Sequence, residues 1–126
     1  MKTITALAIG FLLLVGFALG TYAYVNTSAN DLVTSLETVE KSIADQKWDT
    51  AKENLKTAEN KWDKTKVWWT ILLDHQEIDN IDISINRLEK YVETHGTTLS
   101  LGEISALLML VDHISEKEAP SLKNIL

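Results

Sequence analysis

Apolar residues recur along most of the chain at spacings of three and four, the repeat of an α-helix that packs along another helix. The longest such stripe consists of Trp48, Ala51, Leu55, Ala58, Trp62, Thr65, Trp69 and Leu72. Charged residues occupy the other face of this segment, from Asp49 to Lys66. No segment alternates apolar and polar residues with the period of two that indicates a strand. The pattern predicts an all-α fold.

A second apolar stripe is out of phase with the first by about one residue, or roughly 100° around a helix. It consists of Ile78, Ile81, Ile85, Leu88 and Val92. The helix must therefore break between Leu72 and Ile78. Asp74 is suited to be an N-cap and Glu77 the third helical residue of a capping box, so a new helix is predicted to begin there.

Two further segments complete the helical pattern. Leu32, Leu36, Val39 and Ile43 form a shorter stripe, and Ser100 with Glu103 repeats the capping-box spacing. Gly96 is suited to the left-handed position that follows a helix end. These signals predict helices at roughly 29–45, 48–73, 75–95 and 101–117. Short connections between them predict an up-down antiparallel bundle of about four helices.

The two ends of the bundle carry separate predictions. Nothing in residues 26–30 forbids a helix, so the first helix can continue directly from the segment before it. Pro120 is expected to end the last helix. Beyond it, Leu122, Ile125 and Leu126 are apolar, and we expect this tail to fold back onto the bundle; a docking peptide is the alternative.

The N-terminal segment has the character of a membrane anchor. No charge occurs between Lys2 and Asp31, and residues 4–25 are apolar apart from small residues, threonine and tyrosine. As a helix, this run covers about the ~30 Å thickness of the hydrocarbon core. Tyr22 and Tyr24 fall where an interfacial aromatic belt would lie. We expect a membrane anchor at residues 1–28 and an extracytoplasmic helical domain at residues 29–126.

A cleaved signal peptide is the alternative, because Ala18 and Gly20 offer small residues at suitable positions. The apolar run is longer than the usual core of about 7–15 residues in a signal peptide, which favours an uncleaved anchor. Lys2 is the flanking charge, and positive charge stays inside. The expected location is the cell membrane, with a single pass, a cytoplasmic N-terminus and the C-terminal domain outside.

Charge and composition narrow the classes of partner. The whole chain has a net charge of −6, and the exported part, which lacks Lys2, therefore has −7. Such a surface is repelled by nucleic acids and by anionic headgroups. The chain has no cysteine, so no disulfide supports its small core. The small size of the domain therefore favours support from a partner or from the membrane.

A few residues remain as candidates for a site. Trp68 lies one residue off the tryptophan stripe, so it either covers the helix junction or stands exposed as an interaction residue. His75, Asp79 and Asp82 share a helix face, and an antiparallel bundle would bring His113 to the same end. They are candidate metal ligands, but capping and solvation explain them more simply. We therefore assign no metal site, no cofactor and no catalytic residues, and Trp68 and His75 are the candidate interaction residues.

Four features together resemble a known family of small single-pass bacterial membrane proteins. They are the apolar N-terminal run, the tryptophan and alanine stripe, the junction LLDHQEID and the ending SLKNIL. The family is catalogued as a domain of unknown function, DUF4363. The resemblance implies a membrane-attached helical protein and suggests a membrane protein as partner, but it supplies no activity.

These observations predict a non-enzymatic accessory or interaction protein that binds a membrane-protein partner or forms a homo-oligomer, with residues 4–25 in the lipid bilayer. The functional alternative is a sensor module that binds a metal or another ligand through His75, Asp79 and Asp82. A catalytic constellation would need a carboxylate in an apolar pocket or a nucleophile beside a base. The sequence offers neither in a suitable context.

Overall fold

The computed structural model describes residues 1–118, and the apolar tail discussed above (Leu122, Ile125, Leu126) lies outside the described residues. Within them the chain forms α1 (Lys2–Ala44), α2 (Trp48–Leu72), α3 (His75–Glu93) and α4 (Thr97–Glu118). Helix α1 packs against α2 and α4, and α3 packs against the same two helices. The predicted all-α antiparallel bundle is confirmed.

Helix α1 runs without a break through both the apolar N-terminal segment and the bundle. Its 43 residues correspond to a length of about 65 Å at ~1.5 Å per residue. Every side chain in residues 1–20 is exposed, and Val25 is the first buried one. The apolar segment and the first bundle helix are therefore one rigid element, because nothing between them interrupts the backbone hydrogen bonds.

The predicted apolar stripes form the core of the bundle. The buried residues include Leu32, Leu36, Val39 and Ile43 of α1, Ala51, Leu55, Ala58, Trp62 and Trp69 of α2, and all five members of the α3 stripe. Trp62 and Trp69 meet edge to face, with ring centroids 5.6 Å apart and planes at 84°. The small residues Ala51 and Ala58 alternate with these large ones, which lets the neighbouring helices approach closely.

The connection from α3 to α4 differs from the prediction in one residue. His95, not Gly96, takes the left-handed conformation, with a φ of 56°. The N–H of His95 donates to the carbonyl of Val92 at 3.1 Å, and the N–H of Gly96 to that of Tyr91 at 2.9 Å. This pair of bonds is a Schellman motif, in which the left-handed residue directly follows the C-cap. Since the C-cap is Thr94, the left-handed position falls on His95.

The same motif ends α1. Gln46 has a φ of 56°, its N–H donates to Ile43 at 2.9 Å, and the N–H of Lys47 donates to Ser42 at 3.0 Å. In an antiparallel bundle the two motifs lie at one end, far from the exposed part of α1. Trp48 stacks there on His95, with ring centroids 4.9 Å apart and planes within 3° of parallel. The stack connects the two turns and covers one face of the indole, and Trp48, the first residue of α2, is half-buried.

Helix α4 begins four residues before its predicted start, so the predicted capping box at Ser100 is wrong. The N–H of Ser100 already donates to the carbonyl of Gly96 at 2.8 Å. Glu103 instead reaches across to α3, where it accepts from the hydroxyl of Ser84 at 2.7 Å and pairs with Arg87 at 3.0 Å. Ser100 is fully buried, and its hydroxyl has no hydrogen-bond partner among the described residues.

Replacing Ser100 by alanine should therefore stabilise the protein. The change removes a buried hydroxyl without a partner and introduces a stronger helix former, so we expect a gain of about 0.5–1.5 kcal/mol in the free energy of unfolding. An N-cap serine would give the opposite sign, since its loss costs about 1 kcal/mol. Chemical unfolding of Ser100→Ala distinguishes the two, and Ser105→Ala on the exposed face of α4 controls for helix propensity.

Candidate functional site

The junction between α2 and α3 lies where the phase shift between the two apolar stripes predicts a break in the helix. Helix α2 ends at Leu72, and Leu73 adopts an extended conformation. Asp74 is the N-cap of α3, and its Oδ1 accepts from the N–H of Gln76 at 3.0 Å. The chain thus turns within two residues. This junction lies at the end of the bundle from which the exposed part of α1 emerges.

Trp68 and Trp69 are neighbours in the sequence but have opposite environments. Trp69 has an exposed fraction of 0%, and its Nε1 donates to the hydroxyl of Ser28 on α1 at 2.9 Å. Trp68 is 57% exposed. The difference follows from the 100° step between successive residues of a helix. Trp68 therefore stands at the surface of the junction, as one of its two sequence interpretations proposed.

The indole of Trp68 forms one wall of an apolar groove between α1 and α2, with a volume of about 640 Å³. The groove is lined by Phe17, Gly20, Thr21, Tyr24, Trp68, Ile71 and Leu72. Ile71 is 72% exposed, and Val67 one turn earlier is exposed as well. On the α1 side, the groove merges with the exposed apolar surface of residues 1–20. One continuous apolar surface thus joins the N-terminal half of α1 to the end of α2. We call the groove with Val67 the junction groove.

The candidate metal ligands are not brought together. Both carboxylate oxygens of Asp82 bind residues of α2. Its Oδ1 accepts from Nε1 of Trp62 at 2.7 Å, and its Oδ2 pairs with the ammonium of Lys66. His75, Asp79 and His113 are exposed. Within residues 1–118, no three His, Cys, Asp or Glu side chains are grouped so that they could hold a metal ion. No observation in this region adds support to the sensor alternative.

Two polar clusters between helices were missed by sequence reasoning. They are Asp82 with Trp62 and Lys66, and Glu103 with Ser84 and Arg87. In each cluster a carboxylate at the edge of a helix interface accepts from a buried or half-buried donor on the facing helix. The available signal was the position of Asp82 and Ser84 directly beside members of the α3 stripe. Only the pairing of helices reveals their partners.

Glu59 carries an electrostatic penalty at the α2–α3 surface. Burial raises the pKa of its carboxyl group above the ordinary value, and the negative charge of Glu89 on α3 raises it further. Lys56, whose Nζ lies 3.6 Å from Glu59, acts in the opposite direction. The folded protein therefore holds a proton on Glu59 more tightly than the unfolded chain does.

We expect Glu59→Gln to stabilise the protein at neutral pH. Because the pKa is raised in the folded state, the charged carboxylate opposes folding above that pKa, and the penalty disappears as the pH falls through it toward the ordinary glutamate range. The difference in unfolding free energy between Glu59→Gln and wild type should shrink over this range. Thermal unfolding across pH measures it, with Glu53→Gln on the exposed face as control. A difference that is constant with pH would contradict this account.

The outer face of α4 differs from the surface of the other helices. Leu99, Gly102, Ala106 and Met109 lie along it at helical spacing, and all four are exposed. Glu103, the one charged residue between Thr97 and Val111, is turned toward α3 by its pair with Arg87. We call these four residues the α4 face. It presents an uncharged strip on a bundle that is otherwise acidic.

Two helices in the described region are long and apolar enough to cross a membrane by length and composition alone: Lys2–Ala44 and Thr97–Glu116. None of the most apolar window of the first helix is buried in the protein, whereas 28% of that of the second is buried. Helix α4 owes its apolar composition to its contribution to the bundle core and to the uncharged α4 face. The apolar half of α1 has no such packing role.

Comparison with known proteins places the chain by family alone. No curated protein and no solved structure matches it. The model of the family described as "Domain of unknown function (DUF4363)" matches residues 19–125. This match includes α1 from residue 19 onward, all of α2 and α3, and the described part of α4. The chain therefore belongs to the DUF4363 family.

Proposed function

We propose that this protein is a membrane-anchored helical bundle that acts outside the cytoplasm as an accessory or interaction subunit of a membrane-protein partner. The observation that carries the proposal is helix α1. In its first 20 residues, apolar side chains are exposed on every side of the helix. Its C-terminal half contributes buried residues to the core of the bundle. An apolar surface of this size needs a cover, and a bilayer matches its length.

The continuity of α1 supports a positioning role. A flexible linker would let the bundle sample many heights and orientations above a membrane, whereas an unbroken helix holds it close to the surface. Lys2 at the start of α1 favours a cytoplasmic N-terminus, which would place the bundle on the opposite side. A bundle held in this way presents its lateral faces at a constant height to neighbouring membrane proteins.

The α4 face is the surface that best fits a protein partner. Apolar residues with small neighbours allow close approach of another helix, and none of the four members of the strip is charged. Glu37 and Asp112 border it beside Met109. Outside the junction groove and the apolar half of α1, the remaining surface has an excess of carboxylates and suits solvent. We therefore expect the partner to contact α4 through an apolar helix or strip of its own.

The test combines membrane extraction with partner capture. The full chain should stay in the membrane after carbonate washing. Intact-mass measurement of the mature chain should show that residues 1–28 are kept. With a photoreactive amino acid at Met109, we expect crosslinking to a membrane protein in native membranes. The association should be lost in Met109→Glu and kept in Ile83→Glu, which places the same charge at an exposed apolar residue of α3.

Three outcomes would count against the proposal. Release by carbonate, or a mature chain that has lost its N-terminal segment, would remove the anchor. Extraction of the monomer alone, with no crosslink from Met109, would remove the partner. A crosslink between two copies of the chain would assign the α4 face to a homo-oligomer in place of an accessory role.

A further inference from the structure

We infer that the junction end of the bundle is seated in the lipid–water interface, with Trp68 and Ile71 of α2 inserted among the lipids beside α1. The inference rests on the proposed anchoring of α1 and deepens it. It assigns the junction groove to lipid, and it makes the end of α2 a second contact between this protein and the bilayer.

The depth of the groove follows from the length of α1. The apolar run of residues 4–25 is centred between residues 14 and 15. Half of a ~30 Å hydrocarbon core corresponds to about ten residues at ~1.5 Å each, so the outer boundary of the core lies near Tyr24. Phe17, Gly20 and Thr21 then lie below this boundary, within the hydrocarbon. Together with Tyr24 at the boundary, these three residues form the α1 wall of the groove.

The position of α2 leads to the same depth. The hydrogen bond between Nε1 of Trp69 and the hydroxyl of Ser28 brings this part of α2 level with Ser28, just outside the boundary. Helix α2 runs antiparallel to α1, so Ile71 and Leu72 lie about 3–5 Å closer to the membrane. They reach the boundary itself. The exposed side chain of Ile71 and the indole of Trp68 therefore meet any lipid that covers α1 at Phe17.

The chemistry of the groove fits lipid as its occupant. Its α1 wall is part of the predicted span, so the lipids that surround the span also fill the groove. Tryptophan prefers the interface, because its ring is apolar and its N–H can reach water or headgroups. Within α2, charged residues begin at Lys66, one residue beyond Val67 on the side away from the membrane. Asp74 lies at the membrane-facing end, where its carboxylate caps α3 and is outside the groove lining. No charged residue lines the groove, so the contact needs no anionic lipid. The acidic surface of the bundle would repel anionic headgroups.

The absence of cysteine from the chain makes a depth measurement simple. Ile71→Cys, Lys64→Cys and Thr57→Cys place a nitroxide on one face of α2 at steps of seven residues, about 10 Å each. All three residues are exposed, so the labels should not disturb folding. The full-length protein is reconstituted in phosphatidylcholine nanodiscs, with Leu13→Cys as a reference in the middle of the span. Collision with oxygen reports lipid, and collision with a water-soluble nickel chelate reports solvent.

We expect the label at residue 71 to be several-fold less accessible to the nickel chelate than those at 64 and 57, and more accessible to oxygen. Brominated phosphatidylcholine should also quench wild-type tryptophan fluorescence more than that of Trp68→Phe.

Equal nickel accessibility at residues 71 and 64, with the label at residue 13 in lipid, would overturn the inference and leave the anchor intact. A water-exposed label at Leu13 would instead overturn the proposed anchoring. If the label at residue 71 were shielded from both oxygen and the nickel chelate, and its spectrum were broadened by a label on another molecule, the groove would hold a second copy of the chain. This result would overturn the lipid assignment.

Discussion

Replacement of Trp69 by alanine should lower the free energy of unfolding by about 3–5 kcal/mol, the range for loss of a buried tryptophan. Its side chain is fully buried between α1 and α2. Truncation would open a cavity, remove the edge-to-face contact with Trp62 and leave the hydroxyl of Ser28 without its donor. This loss is a large fraction of the stability of a small domain. The bundle should therefore be partly unfolded at moderate temperature.

Trp68 provides a matched control, because it differs from Trp69 by one position and by its environment. Trp68→Ala should change the unfolding free energy in detergent by less than about 1 kcal/mol, since an exposed side chain loses little on truncation. Chemical unfolding of the full chain, followed by circular dichroism, gives both values. Equal losses for the two variants would mean that the two indoles are equally buried, in conflict with the phase of α2.

The helical stripes made most of the fold predictable. A spacing of three and four identifies the buried face of each helix, and the shift in phase between Leu72 and Ile78 locates a turn with near-residue accuracy. Both results depend only on which residues avoid water. The continuity of α1 was left open by the sequence, because residues 26–30 permit a helix without requiring one.

Helix ends that depend on backbone geometry or on distant partners were less predictable. Gly96 was expected in the left-handed position because glycine is favoured there, but the position is counted from the last hydrogen-bonded turn, and it falls on His95. Ser100 and Glu103 have the spacing of a capping box. Because α4 begins at Thr97, the N–H of Ser100 is already bonded within the helix, and Glu103 instead accepts from Ser84 and pairs with Arg87 of α3.

The sequence singles out Trp68, but it does not predict the groove that Trp68 lines, and His75 is not part of that groove. The phase of the tryptophan stripe separates Trp68 from Trp69 and leaves Trp68 without a core role. The groove around Trp68 is formed with Phe17 and Thr21, which lie some fifty residues earlier in the sequence. Local periodicity carries no information on which segment faces Trp68. That information appears only when α1 continues past the bundle and passes the end of α2.

Asp82 is the second residue whose replacement should have a large effect. Its carboxylate is the acceptor for Nε1 of Trp62, which is 2% exposed, and it pairs with Lys66. Asp82→Ala would leave the indole N–H without an acceptor inside the α2–α3 interface. Hydrogen bonds to charged groups contribute about 1.5–3 kcal/mol, so we expect a loss of that size in the free energy of unfolding.

Two further variants separate the components of this cluster. Asp82→Asn keeps an oxygen acceptor for Trp62 but loses the ion pair, and because that pair is partly exposed its loss should cost less than about 1 kcal/mol. Asp79→Ala, on an exposed position of the same helix, should be nearly neutral. If Asp82→Ala proved as mild as Asp79→Ala, the carboxylate would be free for another role, and the metal-binding alternative would regain its central ligand. A loss confined to Asp82→Ala would mean that the main contribution of this carboxylate to stability is the hydrogen bond that holds Trp62 between α2 and α3.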